Sequence, residues 1–452
     1  MTTTTHDIMA RLQAANHAFA ARFPGDSPRR QPVHTVYGGA HLFKADTAKK
    51  MAGIALKHMD EHAPDAATLQ AALGLTLSPE QAATLHARVR EKLGREAIED
   101  FRIDFEDGYG NRPDAEEDAQ AQIAAREVAA GMAAGSLPPF IGIRIKPLTE
   151  ELARRSLATL ELFLSTLAPL TGGRVPDGFV ITLPKVTHAA QVTALADLLD
   201  HFEATLGYAA GSLKAELMIE TTQAIVGADG RVTIPALLDA GRGRVVSCHF
   251  GTYDYTASCN ITAAYQGMQH PACDFATHLM QVALGQTGVW MSDGATTIMP
   301  VPPHRAKAGE ALTAEQQREN RDAVHRAWRV AFDNVEHSLV RGIYQGWDLH
   351  PGQLVARYAA VYDFFLRSLQ AASVRLENFM RVAATATLSG DVFDDAATGQ
   401  GLINYFLRAI NCGAITEEEV VKTGLTLDEI RTRSFVKILA GRRARAAAGG
   451  AA

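Results

Sequence analysis

Eight short apolar runs, beginning near residues 34, 99, 139, 178, 215, 245, 296 and 344, alternate with helix-like stretches through most of this chain. Each is bounded by polar and glycine signals, the pattern of a strand buried on both faces. Such strands pair in parallel, and a parallel connection needs a crossover of about a dozen residues, usually a helix. Eight units in series predict an α/β protein built on a (β/α)8 TIM barrel. The 452 residues suffice for one such core with appended elements.

Residues 1–32 read as a helix, HDIMARLQAANHAFAARF, and a linker, PGDSPRRQP; the helix carries an amphipathic stripe expected to lie against the barrel. The barrel is expected over 33–351 and a helical C-terminal plug over 352–440. The tail at 441–452, GRRARAAAGGAA, is low in complexity and expected to be disordered. Ser78 and Gln81 form a capping-box pattern at the start of a helix.

The formal net charge of −6 holds no basic excess, so no nucleic-acid partner is expected. Cys248, Cys259, Cys273 and Cys412 lack CxxC or zinc-like spacing and read as reduced thiols. MTTTTHDIMARLQ lacks the features of a signal peptide, and no apolar run approaches about eighteen residues, so no membrane segment is expected. These features predict a cytoplasmic protein.

Chemistry in a parallel α/β fold gathers at the carboxyl ends of the strands. Two apolar runs, AELMIE and VVSCHFGTYD, stop at carboxylates, Glu220 and Asp254. Two acids at neighbouring strand tips can share one Mg²⁺ (or Mn²⁺), which takes one or two carboxylates and leaves its other positions to water and substrate. The alternative is solvated or arginine-paired loop acids. In DFRIDFEDGYG, alternation puts Asp104 and Glu106 on one side with Asp107 beside them, a cluster that a cation or an arginine must neutralise. Arg144 ends one strand; Pro184 and Lys185 end another, and of two readings of Lys185, a catalytic lysine or one that reaches solvent, the second is expected. In the turn Phe250-Gly251-Thr252 the glycine lets backbone N–H groups approach an anionic ligand. His350-Pro351 is either a substrate contact or ordinary helix punctuation.

Six segments in order, FRIDFEDGYGN, FIGIRIKPLTEE, VITLPKVTHAAQV, MIETTQAIVG, VVSCHFGTYDY and GWDLHPGQL, resemble barrel strands of the malate synthase/citrate lyase β-subunit superfamily. That superfamily includes malyl-CoA lyases and metal-dependent 2-oxo-acid aldolases, and the resemblance spans roughly 33–420. It implies a Mg²⁺-dependent enzyme that joins or cleaves a carbon–carbon bond between a 2-oxo acid, such as glyoxylate, and an acyl-CoA enolate. By resemblance Glu220 and Asp254 hold the metal, with Asp104, Glu106 and Asp107 behind them. Arg144 stabilises the enolate oxygen, and the Phe250–Thr252 turn, Pro184 and His350 contact substrate. SGDVFDDAATGQ resembles the malate synthase C-terminal segment that supplies the catalytic base, here Asp395, with Asp394 in place of the usual glutamate. Where malate synthases carry a second arginine this chain has Lys146, which draws the site toward the citrate-lyase type. A homo-oligomer is implied, in which a neighbouring subunit can supply the base. Two alternatives stay open: a CoA-independent pyruvate-type aldolase and a catalytically silent regulatory homologue.

Overall fold

A computed structural model of the protein describes residues 3–25, 27, 29–306, 310–381, 387–389, 392–394, 396–421, 425–432, 437–438, 440–442 and 444. Eight parallel strands close into a barrel in sequence order. They are β1 (His34–Gly39), β2 (Asp100–Asp104), β3 (Phe140–Arg144), β4 (Val180–Leu183), β5 (Lys214–Ile219), β6 (Val245–Phe250), β7 (Trp290–Ala295) and β8 (Gln345–Asp348). The ring closes where His34 of β1 pairs with Gly346 of β8. This is the (β/α)8 architecture expected from the sequence.

One strand was misplaced. The apolar run from Thr296 was expected to be the seventh, but β7 is WMSDGA, just before it. Ser292 faces inward to His249, and Asp293 turns outward to accept from Ser338, so neither face shows apolar alternation. Ile298 and Met299, from the expected run, are exposed.

The barrel interior explains why alternation was a poor guide. TIM barrels are usually filled by layers of Val, Ile and Leu. Here Arg102 lies across the lower layer, fully buried, paired with Asp100 and with Glu216 at 3.0 Å. Thr182 and Ser247 donate to the same Glu216 at 2.8 and 2.7 Å. Burial pushes Glu216 up, but the Arg102 guanidinium, His249 and these hydrogen bonds outweigh it and hold the carboxyl down at about 2. Above this layer Tyr37, His249 and Trp347 pack ring against ring. The apolar faces of the strands, including Phe101, Ile103, Ile143 and Leu217, point outward onto buried helix residues such as Leu160, Phe163 and Leu164.

The helix Leu354–Arg381 starts at the mouth after β8 and runs down the barrel wall. The helix Ala396–Cys412 follows, and its C-terminal half packs at the opposite, N-terminal face of the barrel. There Arg408 donates to Gln31 at 3.2 Å, and Tyr362 donates to the Cys412 carbonyl at 3.1 Å. The capping box of Ser78 and Gln81 forms as expected. The N-terminal helix, Thr3–Arg22, does not bury its stripe: Ile8, Met9, Leu12 and Phe19 stay exposed. Four apolar residues in an alanine-rich helix give too little surface to dock, and the ion pair Arg22–Asp239 at 2.9 Å ties down only its end. The tail from 441 lies outside the described residues apart from 441, 442 and 444, where Arg442 pairs with Glu429 at 2.7 Å. No helix among the described residues is long and apolar enough to cross a membrane.

Two buried histidines set a pH dependence. Burial holds His34 down at about 3 and His249 at about 4, both below the ordinary value near 6.5. In the unfolded chain both protonate as pH falls through about 6.5, while the folded form stays neutral, so stability is lost in that window. Glu220, pushed up to about 8, has the opposite sign and cancels about one proton. Without divalent cations, stability should therefore fall as pH drops from 6 to 5, and His58, held down at about 4 by burial, adds in the same direction. Calorimetric melting at pH 6 and 5 checks this, and a midpoint that rises between those two values on acidification refutes it.

Candidate active site at the C-terminal mouth of the barrel

Asp104, the last residue of β2, organises the floor of the mouth. Its carboxylate accepts the backbone N–H groups of Glu106 at 2.9 Å and Gly108 at 2.7 Å, which curls the loop. It also takes Arg144 in a fork, Nε at 2.7 Å and Nη2 at 2.5 Å. Arg144 places its remaining nitrogen 3.0 Å from Glu106, and its guanidinium centre lies 4.8 Å from the Tyr37 ring centroid. A fork–fork pair fixes a plane as well as a charge.

Glu220 follows β5 directly and is 2% exposed. Its Oε1 accepts the backbone N–H of Lys185 at 2.7 Å. Lys185 has φ +50, a left-handed conformation that residues with side chains rarely adopt. The site over-determines that strain, because the Lys185 ammonium is held as well. It bonds Glu106 and lies 3.3 Å from Asp107 and 3.5 Å from Asp254. Four carboxylates, Glu106, Asp107, Glu220 and Asp254, thus gather around one lysine. Lys185 does reach solvent, with its side chain 30% exposed, but its ammonium is held in this cluster and is not free. Burial lowers its pKa, but Glu106 and Glu220 outweigh that and keep it charged.

Asp254 reaches the cluster from the short helix Thr252–Ser258 rather than from the tip of β6. The Gly251 N–H already donates to the Ile219 carbonyl at 3.1 Å. What requires a glycine there is space, since a Cβ would lie 2.2 Å from Glu220 Oε2 and 2.5 Å from its Cβ. Gly251→Ala should therefore displace Glu220 and destabilise the protein by about 1–3 kcal/mol, as overpacking does. A crystal structure of the variant with Glu220 unmoved would refute this.

The remaining candidates lie as follows. Phe250 packs its ring 5.3 Å from Tyr255, Thr252 has a buried hydroxyl without a hydrogen-bond partner among the described residues, and Pro184 is buried just before Lys185. His350 accepts the Gly352 N–H at 3.0 Å and so caps the turn Pro351–Gln353. Lys146 bonds the Phe105 carbonyl at 2.6 Å and Glu117 at 2.8 Å, tying β3 to the helix Asp114–Ala134. Asp395 lies outside the described residues.

The resemblance of the sequence implies a divalent cation, and the donor set fits one. Burial first, and the charge of Asp254 second, push Glu220 up to about 8, a penalty that a cation between the two carboxylates would relieve. No trio of His, Cys, Asp or Glu among the described residues is already arranged as metal ligands. Two carboxylates with open positions suit Mg²⁺, which keeps much of its water.

No curated protein matches this sequence. Residues 12–438 match the family described as Domain of unknown function (DUF6986). Among solved structures, a citrate lyase from Burkholderia xenovorans LB400 aligns with a TM-score of 0.55 at 16% identity, covering 88% of this chain and 99% of that one. CitE from Mycobacterium tuberculosis, solved with magnesium, acetoacetate and coenzyme A, aligns at 0.46 and 15% identity over 85% and 99% of the two chains. Haloferax volcanii malate synthase aligns at 0.45 and 14% identity over 91% and 98%. The first of these shows a shared barrel fold, as the six sequence segments implied.

Proposed function

Because the chain belongs to the family described as Domain of unknown function (DUF6986), which names no reaction, we propose its chemistry from the site itself. We read the protein as a Mg²⁺-dependent carbon–carbon bond lyase or synthase acting on a 2-oxo acid, glyoxylate in the closest analogy, and an acyl-CoA. The observation that carries this reading is the gathering of Glu220, Asp254, Glu106 and Asp107 around one cationic group, beside a planar, fork-held Arg144. Fold alone would not license it.

Glu220 and Asp254 would hold the ion, which when bound supplies Lewis-acid polarisation of the 2-oxo carbonyl. Arg144, fixed by Asp104 and Tyr37, offers a preoriented cation to an enolate oxygen, where a fixed charge in a dry site is most effective. Glu106 and Lys185 keep the cluster near neutrality and orient water or substrate. By resemblance, Asp395 removes the proton from the acyl donor. As the resemblance implies, that base comes to the mouth either from the same chain or from a neighbouring subunit.

Purified protein with Mg²⁺, glyoxylate and acetyl-CoA should release free thiol, and EDTA should abolish the release. No thiol, together with CoA-independent aldol cleavage of a pyruvate-type substrate, would replace this reading with the aldolase one. Inactivity in both assays across acyl donors would leave the silent homologue.

A further inference from the structure

A cavity of about 230 Å³ lies at the other end of the barrel, beneath the starts of β7 and β8. Three separated segments close it: the linker after the N-terminal helix, the two strand starts, and the C-terminal helix Ala396–Cys412. The chain has 50 acidic and 44 basic residues. Among the described residues this cavity is lined by two arginines, Arg29 and Arg408, by the amides Gln31, Gln281, Asn404 and Asn411, and by no carboxylate.

Both arginines are held against aromatic rings. Arg29 lies over the Trp290 ring, 4.9 Å from its centroid, and Arg408 over Tyr344 at 4.0 Å. Trp290 begins β7 and Tyr344 immediately precedes β8, two paired strands, so both cations are parked at neighbouring strand starts. Arg408 donates to Gln31 at 3.2 Å, and among the described residues neither arginine forms an ion pair. Several other arginines pair with carboxylates: Arg30 with Glu99, Arg155 with Asp118, Arg244 with Glu203, Arg341 with Asp274. The adjoining cavity of about 360 Å³, which Arg29 also lines, contains Asp100 and Glu216, both engaged by Arg102, and Asp177, which forms no ion pair with either arginine among the described residues. Stacking on an aromatic face holds a guanidinium in place while leaving its edge N–H groups to donate.

We propose that this cavity is a binding site for a small oxyanion, a dicarboxylate or a phosphate group, held by Arg29 and Arg408 together with the amides. The ligand bridges the linker and the C-terminal helix, and so fastens that helix onto the barrel floor. The inference does not rest on the reading of the mouth, since no residue is shared between the two sites.

The test uses the full chain, with calorimetric titration and thermal shift in sodium phosphate, sodium succinate, and NaCl at matched ionic strength. At least one of the two oxyanions should bind saturably and raise the melting midpoint beyond NaCl. Arg29→Gln/Arg408→Gln should weaken that binding by about tenfold or more, as loss of charge-assisted bonds does. If the double variant does not fold, Arg408→Lys keeps the charge, loses the planar fork, and should bind several-fold more weakly. Binding of phosphate alone, or of succinate alone, assigns the ligand class. The proposal is overturned if neither anion exceeds NaCl, or if the folded variants bind as wild type does. It is equally overturned if Arg144→Lys, and not the cavity variants, removes binding, because the anion then sits at the mouth.

Discussion

Replacing Arg102 by methionine is expected to cost the fold about 3–5 kcal/mol, the usual result of removing one partner from a buried ion pair. Arg102 is 3% exposed and is the cation that neutralises Asp100 and Glu216 inside the barrel. Methionine fills most of the volume but leaves two buried carboxylates facing each other without a counter-charge. At least one must then take up a proton, so its folded pKa rises above the unfolded value. A group shifted in that direction gives stability that is fully present below the unfolded pKa and is lost as pH rises through the folded one. The variant should therefore recover part of its deficit when the pH is lowered from 7.5 toward 5.5, opposite in sign to the histidine effect in the parent. Thermal melting at the two values decides the matter. A deficit below about 1 kcal/mol, the range of an exposed pair, would mean the barrel floor is solvated.

The second large effect is at Glu220, and it runs in two directions. Under the proposed function, Glu220→Gln removes one of two charges that would hold the cation, and turnover should fall by about three orders of magnitude, near the scale of losing a principal electrostatic contributor. Binding of Mn²⁺, followed directly by titration calorimetry or by its magnetic resonance signal, should weaken with it. The folded protein without cation should gain stability by about 1 kcal/mol or more. The parent keeps a carboxylate buried, beside Asp254, at a protonation penalty that places it at about 8. Glutamine keeps an oxygen to accept the Lys185 N–H and removes the charge. Sites tuned for chemistry commonly carry such a stability cost. A variant that loses turnover and stability together would mark Glu220 as a structural residue, and one that keeps Mn²⁺ affinity would remove it from the cation site.

The sequence by itself determined the architecture. Eight apolar runs at crossover spacing admit few arrangements, and the barrel follows from the rule that parallel strands need covered faces. It also picked out most residues of the mouth, because strand ends and chain order are local properties: Asp104, Glu106, Asp107, Arg144, Glu220 and Asp254 all arrive there. Tertiary structure alone decided what each one touches. Lys185 reads as a surface lysine in its own segment and becomes the centre of the carboxylate cluster only when β2, β4 and the helix after β6 close together. Gly251 reads as a ligand-approach glycine and proves to be the space that Glu220 occupies. Arg102 and Glu216, 114 residues apart, show nothing in sequence of the pair they form. WMSDGA hid as a strand because its inward face is polar, and hydrophobic alternation reports only strands whose buried face is apolar. Periodicity is written residue by residue along the chain. Charge pairing and close approach are set by closure of the barrel, which brings together side chains from strands far apart in sequence.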